Sequence, residues 1–193
     1  MKIYGDAISG NCLKCKYTAD HLGIDYEWVA TDIMKGETRT AAYLSMNPAG
    51  QVPVLELDDG RTLAQSNAII AYLARDSVLA PEDPFDRAKV DEWMFWEQYS
   101  HEPYVAVCRF AMVYQGRSRD ERDAWRVERG EGALDLMNDW LADRSWFVGG
   151  AMSIADIALL AYTRLAHEGG FDLGGRGNIR AWIERSESAL GIA

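Results

Sequence analysis

Two of the three cysteines, Cys12 and Cys15, form a Cys-x-x-Cys, and the third, Cys108, lies far down the chain. Such a pair can carry thiol–disulfide exchange when one thiol sits at a helix start and the other resolves the mixed disulfide. A plainer reading stands beside it. Positions 12, 15, 19 and 22 (Cys, Cys, Ala, Leu) make one apolar stripe at helical spacing, which predicts a helix over 12–22 with both thiols packed inward. The cysteine count is odd and no secretory signal precedes it, so reduced thiols are expected. The three histidines (His21, His101, His167) show no His-x-x-x-His spacing, and no metal site is expected. Arg109 stands in an apolar stretch, and a buried arginine demands a partner.

The elements that must position these residues change character near residue 80. Lys2–Tyr4 reads as a short strand, followed by the helix over 12–22, which Gly23 ends. Tyr26–Ala30 is a second strand. Thr38–Met46 is a short helix stopped by Asn47-Pro48. Val52–Leu57 is a third strand, Asp58-Asp59-Gly60 a hairpin turn, and Thr62–Ala64 the returning strand. Ser66 is expected to cap a helix running to about Arg75. The order β-α-β-α-β-β-α predicts a parallel pair plus an antiparallel hairpin, with helices on the sheet.

Val78–Pro84 carries two prolines and two acids and reads as a linker. Beyond it no strand pattern appears. Phe85–Tyr114 is helical, and Pro103 must kink or split it. Asp120–Leu141 is a second helix, with Ala133, Leu134, Met137, Trp140 and Leu141 on its apolar side. Ser153-Ile154-Ala155-Asp156 has capping-box spacing, with Asp in place of Glu, and opens a third helix expected to be buried on nearly all sides. Asn178–Glu187 is the last, with Ile179, Trp182 and Ile183 inward. The aromatic set Trp93, Trp96, Tyr99 and Tyr104 reads as core.

The chain has 193 residues, of which 48% are hydrophobic and 26% charged, an ordinary globular balance. The net charge is −10. Residues 1–80 hold seven bases and ten acids, net −3; the remainder hold thirteen and twenty, net −7. An acidic chain repels phosphate backbones, so nucleic acid is not an expected partner. The longest apolar run, Ile154–Ala161, is broken by Asp156 and falls far short of the roughly 20 residues a membrane span needs. A cytoplasmic location is expected.

Four segments together resemble one family. Lys2-Ile3-Tyr4 followed by Ser9-Gly10-Asn11-Cys12 looks like the start of a serine-type, theta-like bacterial glutathione transferase. Asn47-Pro48-Ala49-Gly50-Gln51-Val52-Pro53-Val54-Leu55 resembles that family's loop before its cis-proline. Leu63-Ala64-Gln65-Ser66-Asn67-Ala68-Ile69-Ile70-Ala71-Tyr72-Leu73 resembles its glutathione-gripping helix start, and Ser153–Asp156 its capping box. The tail is looser: Gly174–Gly177 stands where a proline-containing turn is expected. The resemblance implies a thioredoxin-like domain over 1–77 that binds glutathione. It implies an all-helical domain over 85–193 that shapes the pocket for a second, electrophilic substrate. It also implies homodimers, and glutathione as co-substrate.

The resemblance places the chemistry residue by residue. Ser9 is expected to donate a hydrogen bond to the glutathione thiolate, because only the anion attacks well and a helix start favours it. Asn11 is a second candidate, as donor or as the true cap. Ser9 takes the position of a glutaredoxin-like nucleophile, which leaves Cys12 at the resolving position and open as a reactive thiol. Pro53 is expected cis, with Val52 pairing its backbone to the cysteinyl unit. Gln65 and Ser66 are expected to hold the γ-glutamyl end. Many relatives carry an acid where Gln65 stands; a neutral amide brings no charge to the ligand's amino group. Gln51, Lys35 and Arg39 are candidates for the glycyl carboxylate. Tyr104, Arg109 and Tyr114 are candidates for the second pocket. Arg109 holds an internal carboxylate, a thiolate or a leaving group. Thiol–disulfide exchange through Cys12, and a non-catalytic glutathione-binding or interaction protein, remain alternative functions.

Overall fold

The computed structural model describes residues 1–192, which divide into two compact units, Met1–Ser77 and one beginning at Val78. In the first unit four strands form one sheet: β1 (Lys2–Gly5), β2 (Glu27–Ala30), β3 (Val54–Glu56) and β4 (Thr62–Ala64). Their spatial order is β2-β1-β3-β4, with β1 and β2 parallel and the other pairs antiparallel. Helix α1 (Gly10–His21) is the crossover between the parallel strands, as a parallel pair requires. α2 (Ala41–Met46) and α3 (Ser66–Ala74) complete the unit. Ile3 opposes Leu55 in the sheet, and both are fully buried together with Cys12, Cys15, Ala19, Ile69 and Ile70. α1 and α3 pack side by side.

Three expectations shift here. The third strand starts at Val54, two residues later than its apolar pattern suggests, because the Val52–Pro53 bond is cis and a proline brings no ladder donor. The segment before Asn47 is a 3₁₀ turn (Glu37–Arg39) followed by α2, with the Thr40 side chain accepting the Tyr43 amide at 3.2 Å. Ser66 is the first residue of α3, and Gln65 occupies its N-cap with φ +70°.

The second unit is all helical: α4 (Pro84–Trp96), α5 (Glu102–Val113), α6 (Ala124–Trp140), α7 (Ile154–Thr163) and α8 (Gly177–Leu190). Asp83 caps α4 by accepting the Phe85 and Asp86 amides. Pro103 sits at the second position of α5, and a five-residue π turn, Glu97–His101, joins α4 to it. The proline therefore splits the long helix, and its missing donor falls where a helix start needs none. All ten residues of α7 are buried. Both arms of the Ser153–Asp156 capping box are present. Asp156 does more than cap. Its two oxygens accept from the Ser153 amide (2.9 Å), the Ser153 hydroxyl (3.2 Å), the Phe147 amide (3.0 Å) and Trp182 Nε1 (2.9 Å). One carboxylate thus ties α7 to α8 and to the loop before it. Around it the rings of Trp93, Trp140, Phe147 and Trp182 meet edge to face.

Tyr99 is not core: it is 81% exposed. The buried positions along this stretch are 90, 93, 94, 97, 101, 105, 106, 108 and 109, a helical period that puts Glu97 and His101 inside and Tyr99 on the far side. No helix among the described residues is long and apolar enough to cross a membrane.

Candidate functional site

β1 delivers the chain to the start of α1. Ser9 is the N-cap residue there, with extended backbone (φ −75°, ψ 122°), and its carbonyl accepts the Leu13 amide at 2.9 Å. Its hydroxyl makes no cap bond. It is near enough to the Cys12 thiol to pull that group's pKa down. The first turn of α1 thus presents a half-buried hydroxyl beside helix amides that have no intrahelical acceptor.

Cys12 is fully buried, and its sulfur also receives the Asp6 amide at 3.4 Å. Burial pushes its thiol up to about 12, against a smaller pull downward from Ser9 and the Asp6 amide. Cys15 is also fully buried, and burial holds its pKa well above that of a free thiol. Cys108 is buried too, and desolvation raises its pKa. All three thiols are free of disulfides. Raised in this way, the three thiols favour the protonated form at neutral pH.

Asn11 is the second residue of α1, not its cap. Its Oδ1 accepts the Ser66 hydroxyl at 3.0 Å, which joins the first turn of α1 to the first turn of α3. Lys14, fully buried, adds a second tie: its Nζ donates to Asn67 Oδ1 at 3.2 Å. Ser9, Asn11 and Ser66 are therefore brought together by two helix N-termini packed side by side.

The 47–53 loop is braced from within. Asn47, nearly fully buried, donates through Nδ2 to the Gln51 carbonyl at 2.8 Å, and the Tyr43 hydroxyl donates to the same oxygen at 3.0 Å. Gly50 has φ +61°, a conformation that suits glycine. An added Cβ there would lie 2.5 Å from Arg39 Nη1. Arg39 donates to the Ala49 carbonyl at 3.3 Å, so its guanidinium lies against the Ala49–Gly50 turn. Lys35 instead pairs with Asp32 at 3.0 Å on a separate turn. Among the described residues the Val52 N–H and C=O take no hydrogen-bond partner. Gln65 is the one non-glycine residue with positive φ among those described, and its side chain is exposed.

On α5, Arg109 is 4% exposed and its Nε meets Glu168 Oε2 at 2.6 Å. Of its three expected uses, the internal carboxylate is the one present. The Tyr104 hydroxyl receives Arg129 Nη1 at 3.1 Å, and its ring meets Trp125 edge to face. The Tyr114 ring stacks on Phe110 with centroids 4.9 Å apart. Sequence reasoning passed over Lys14, Asn47 and Tyr43. A readable signal existed for Lys14, a charge on a helix whose neighbours are mostly buried; the roles of Asn47 and Tyr43 depend on the folded loop.

A four-stranded mixed sheet with its crossover helix, a braced loop ending in a cis-proline, and a following all-helical unit define a thioredoxin-like domain fused to a helical domain. Residues 8–76 match the family model "Glutathione S-transferase, N-terminal domain", and residues 99–189 match "Glutathione S-transferase, C-terminal domain". The chain belongs to the glutathione S-transferase family. It is similar to a glutathione S-transferase of Pseudomonas fluorescens, at 49% identity and TM-score 0.93, covering 97% of this chain and 94% of that one. It is also similar to one from Xanthobacter autotrophicus, at 42% identity and TM-score 0.92, covering 97% and 92%. Glutathione S-transferase GstA of Escherichia coli O157:H7 is 32% identical over 186 residues, 91% of this chain and 88% of that protein.

Proposed function

We propose that this chain is a serine-type, theta-like bacterial glutathione transferase that conjugates glutathione to an electrophilic small molecule. Ser9 is its thiolate-holding residue. The carrying observation is that Ser9 stands at the N-cap of α1 without spending its hydroxyl on the cap. A plain capping serine accepts an amide from the first turn; this one is left to face sulfur. In the complex the hydroxyl donates to the glutathione thiolate, and the positive end of α1 lowers the thiol's pKa further.

The remaining roles follow the geometry. The unused Val52 N–H and C=O pair with the cysteinyl backbone as an added strand would. The amides at the start of α3, with Gln65 and Ser66, take the γ-glutamyl carboxylate. Gln51 takes the glycyl carboxylate, with Arg39 against the adjoining turn. Asn11 acts through its bond to Ser66, which supports a positioning role. In this reading residues 1–77 are the glutathione-binding domain and 85–193 the helical one, with Tyr104 and Tyr114 contributing to the electrophile's pocket. The protein works in the cytoplasm as a homodimer. Phe85, Phe95 and Tyr99, strongly exposed along one helical stretch, support a covering second copy.

Turnover of a dinitro-activated aryl chloride with glutathione tests this. Loss of a hydrogen bond to a charged group costs about 1.5–3 kcal/mol, so Ser9→Ala should lower kcat roughly ten- to a hundred-fold. Cys12→Ala should keep most of it. The reverse pattern would move the chemistry to Cys12. Failure to bind immobilised glutathione, with no turnover, would make the chain a non-enzymatic relative. Sedimentation at micromolar concentration should give twice the chain mass, and a clean monomer refutes the dimer.

A further inference from the structure

The helical unit holds a cavity of about 200 Å³ where α5 and the connector to α6 meet. Its apolar lining is Val107, Phe110 and Ala111, with the Cys108 thiol. Its polar lining is dominated by Arg117, Arg122 and Arg126. Two acids, Glu121 and Asp123, also face it, and both are already engaged. Glu121 accepts the Ser118 amide (2.7 Å) and hydroxyl (2.9 Å); Asp123 pairs with Arg126 Nε at 2.8 Å.

The other two arginines differ. Among the described residues, neither Arg117 nor Arg122 has a carboxylate within ion-pair distance. Arg122 is half-buried and held in place: Nε donates to the Arg119 carbonyl and Nη1 to the Gly169 carbonyl, both at 2.9 Å. Its guanidinium also lies over the Phe171 ring. A fixed, partly desolvated cation without a counter-ion, above an apolar floor, is built for an anion with an apolar body. The charges of Arg122 and Arg126 reach the floor, where they pull the Cys108 thiol down against burial and a smaller upward push from Asp123. A cavity of roughly 150 Å³ already accepts a benzene ring, so this one has room for a ring and one acid group.

We propose that this cavity is a binding site for a small aromatic carboxylate, its ring on Val107, Phe110 and Ala111 and its carboxylate on Arg117 and Arg122. The probe is 4-fluorobenzoate, followed by fluorine NMR on the full chain. Saturable binding is expected. Neutral 4-fluorobenzamide should bind at least ten-fold more weakly, and inorganic sulfate should compete poorly. Arg117→Gln should raise the Kd several-fold, and Ala111→Leu, which fills the floor, should abolish binding. Both variants are checked for a native thermal transition. A second filler, Val107→Phe, serves if Ala111→Leu does not fold. Absence of saturable binding overturns the proposal. So does binding that both substitutions leave intact, sulfate competing as well as the carboxylate, or displacement by S-hexylglutathione.

Discussion

Replacing Cys12 by alanine should flatten the protein's loss of stability in alkali. The thiol is fully enclosed and burial carries its pKa to about 12 in the folded state. In the unfolded chain it ionises near the ordinary value, about 8.5. Below that pH the thiol is neutral in both states and adds no pH dependence. As pH rises from about 8.5 towards 12, the unfolded chain releases the proton while the folded chain keeps it. Stability then falls by about 1.4 kcal/mol per pH unit. Between pH 8 and pH 10 this amounts to about 2 kcal/mol, on the order of what a small domain can notice. The alanine has its own fixed cost, about 1 kcal/mol for the lost sulfur, but that cost does not change with pH. Urea unfolding of both proteins at pH 8 and pH 10, followed by tryptophan fluorescence, isolates the difference, since tyrosine and other cysteine titrations cancel between them. The same pKa leaves about one thiolate in ten thousand at pH 8, so alkylation of Cys12 should wait on unfolding. Parallel pH dependences for the two proteins, or rapid labelling of folded Cys12 at pH 8, would refute the reasoning and restore thiol exchange as a rival chemistry.

Three further substitutions probe the frame. Asp156→Ala strands the buried Phe147 and Ser153 amides and Trp182 Nε1, which should cost at least about 3 kcal/mol; a shift under 1 kcal/mol in chemical denaturation would mean the four bonds are replaceable. Gly130→Ala brings a Cβ to 2.6 Å from the Phe171 ring. The overpacking cost of about 1–3 kcal/mol should outweigh the roughly 1 kcal/mol gain in helix propensity, and a raised Tm would contradict it. Gln65→Gly relieves a side chain held at φ +70°, so the free protein should gain about 1 kcal/mol while KM for glutathione rises. A lower Tm, or an unchanged KM, would show that the strained residue serves no ligand.

What the sequence disclosed depended on distance along the chain. The Ser153–Asp156 box was readable because its partners are three residues apart and the motif is local chemistry. The parallel pair and the antiparallel hairpin were readable too, since a helix between two strands forces the one and a tight turn the other; that β1 pairs with β3 was not. The partner of Arg109 was not, because Glu168 is 59 residues away and comes near it only once the helical unit has folded. Tyr99 was misplaced for a different reason. Aromatic character suggested core, whereas the period through Val90, Met94, Glu97, His101 and Val105 assigns the inside to a carboxylate and an imidazole. Composition misled there, and spacing would have corrected it. Within the candidate site, the residues of the four motifs were named in advance, but the bonds that join them were not. Asn11 to Ser66 spans 55 positions and Lys14 to Asn67 spans 53.

In the proposed function those two bonds are what let helix ends, and not thiols, hold the ligand. A single helix N-terminus offers a few amides and a partial positive charge that water screens readily. Here two such ends are locked side by side. α1 brings Ser9 and α3 brings Ser66, and the Asn11–Ser66 and Lys14–Asn67 contacts fix one against the other. In the proposed complex an anionic ligand with a sulfur at one end and a carboxylate at the other would meet preset donors at both, leaving little ordering to do on binding. The same tight packing that fixes those donors encloses Cys12 and Cys15 and removes them from solution chemistry. In the proposed site the two cysteines are packing groups on the buried face of α1, which they share with Lys14, Tyr17, Thr18 and Ala19.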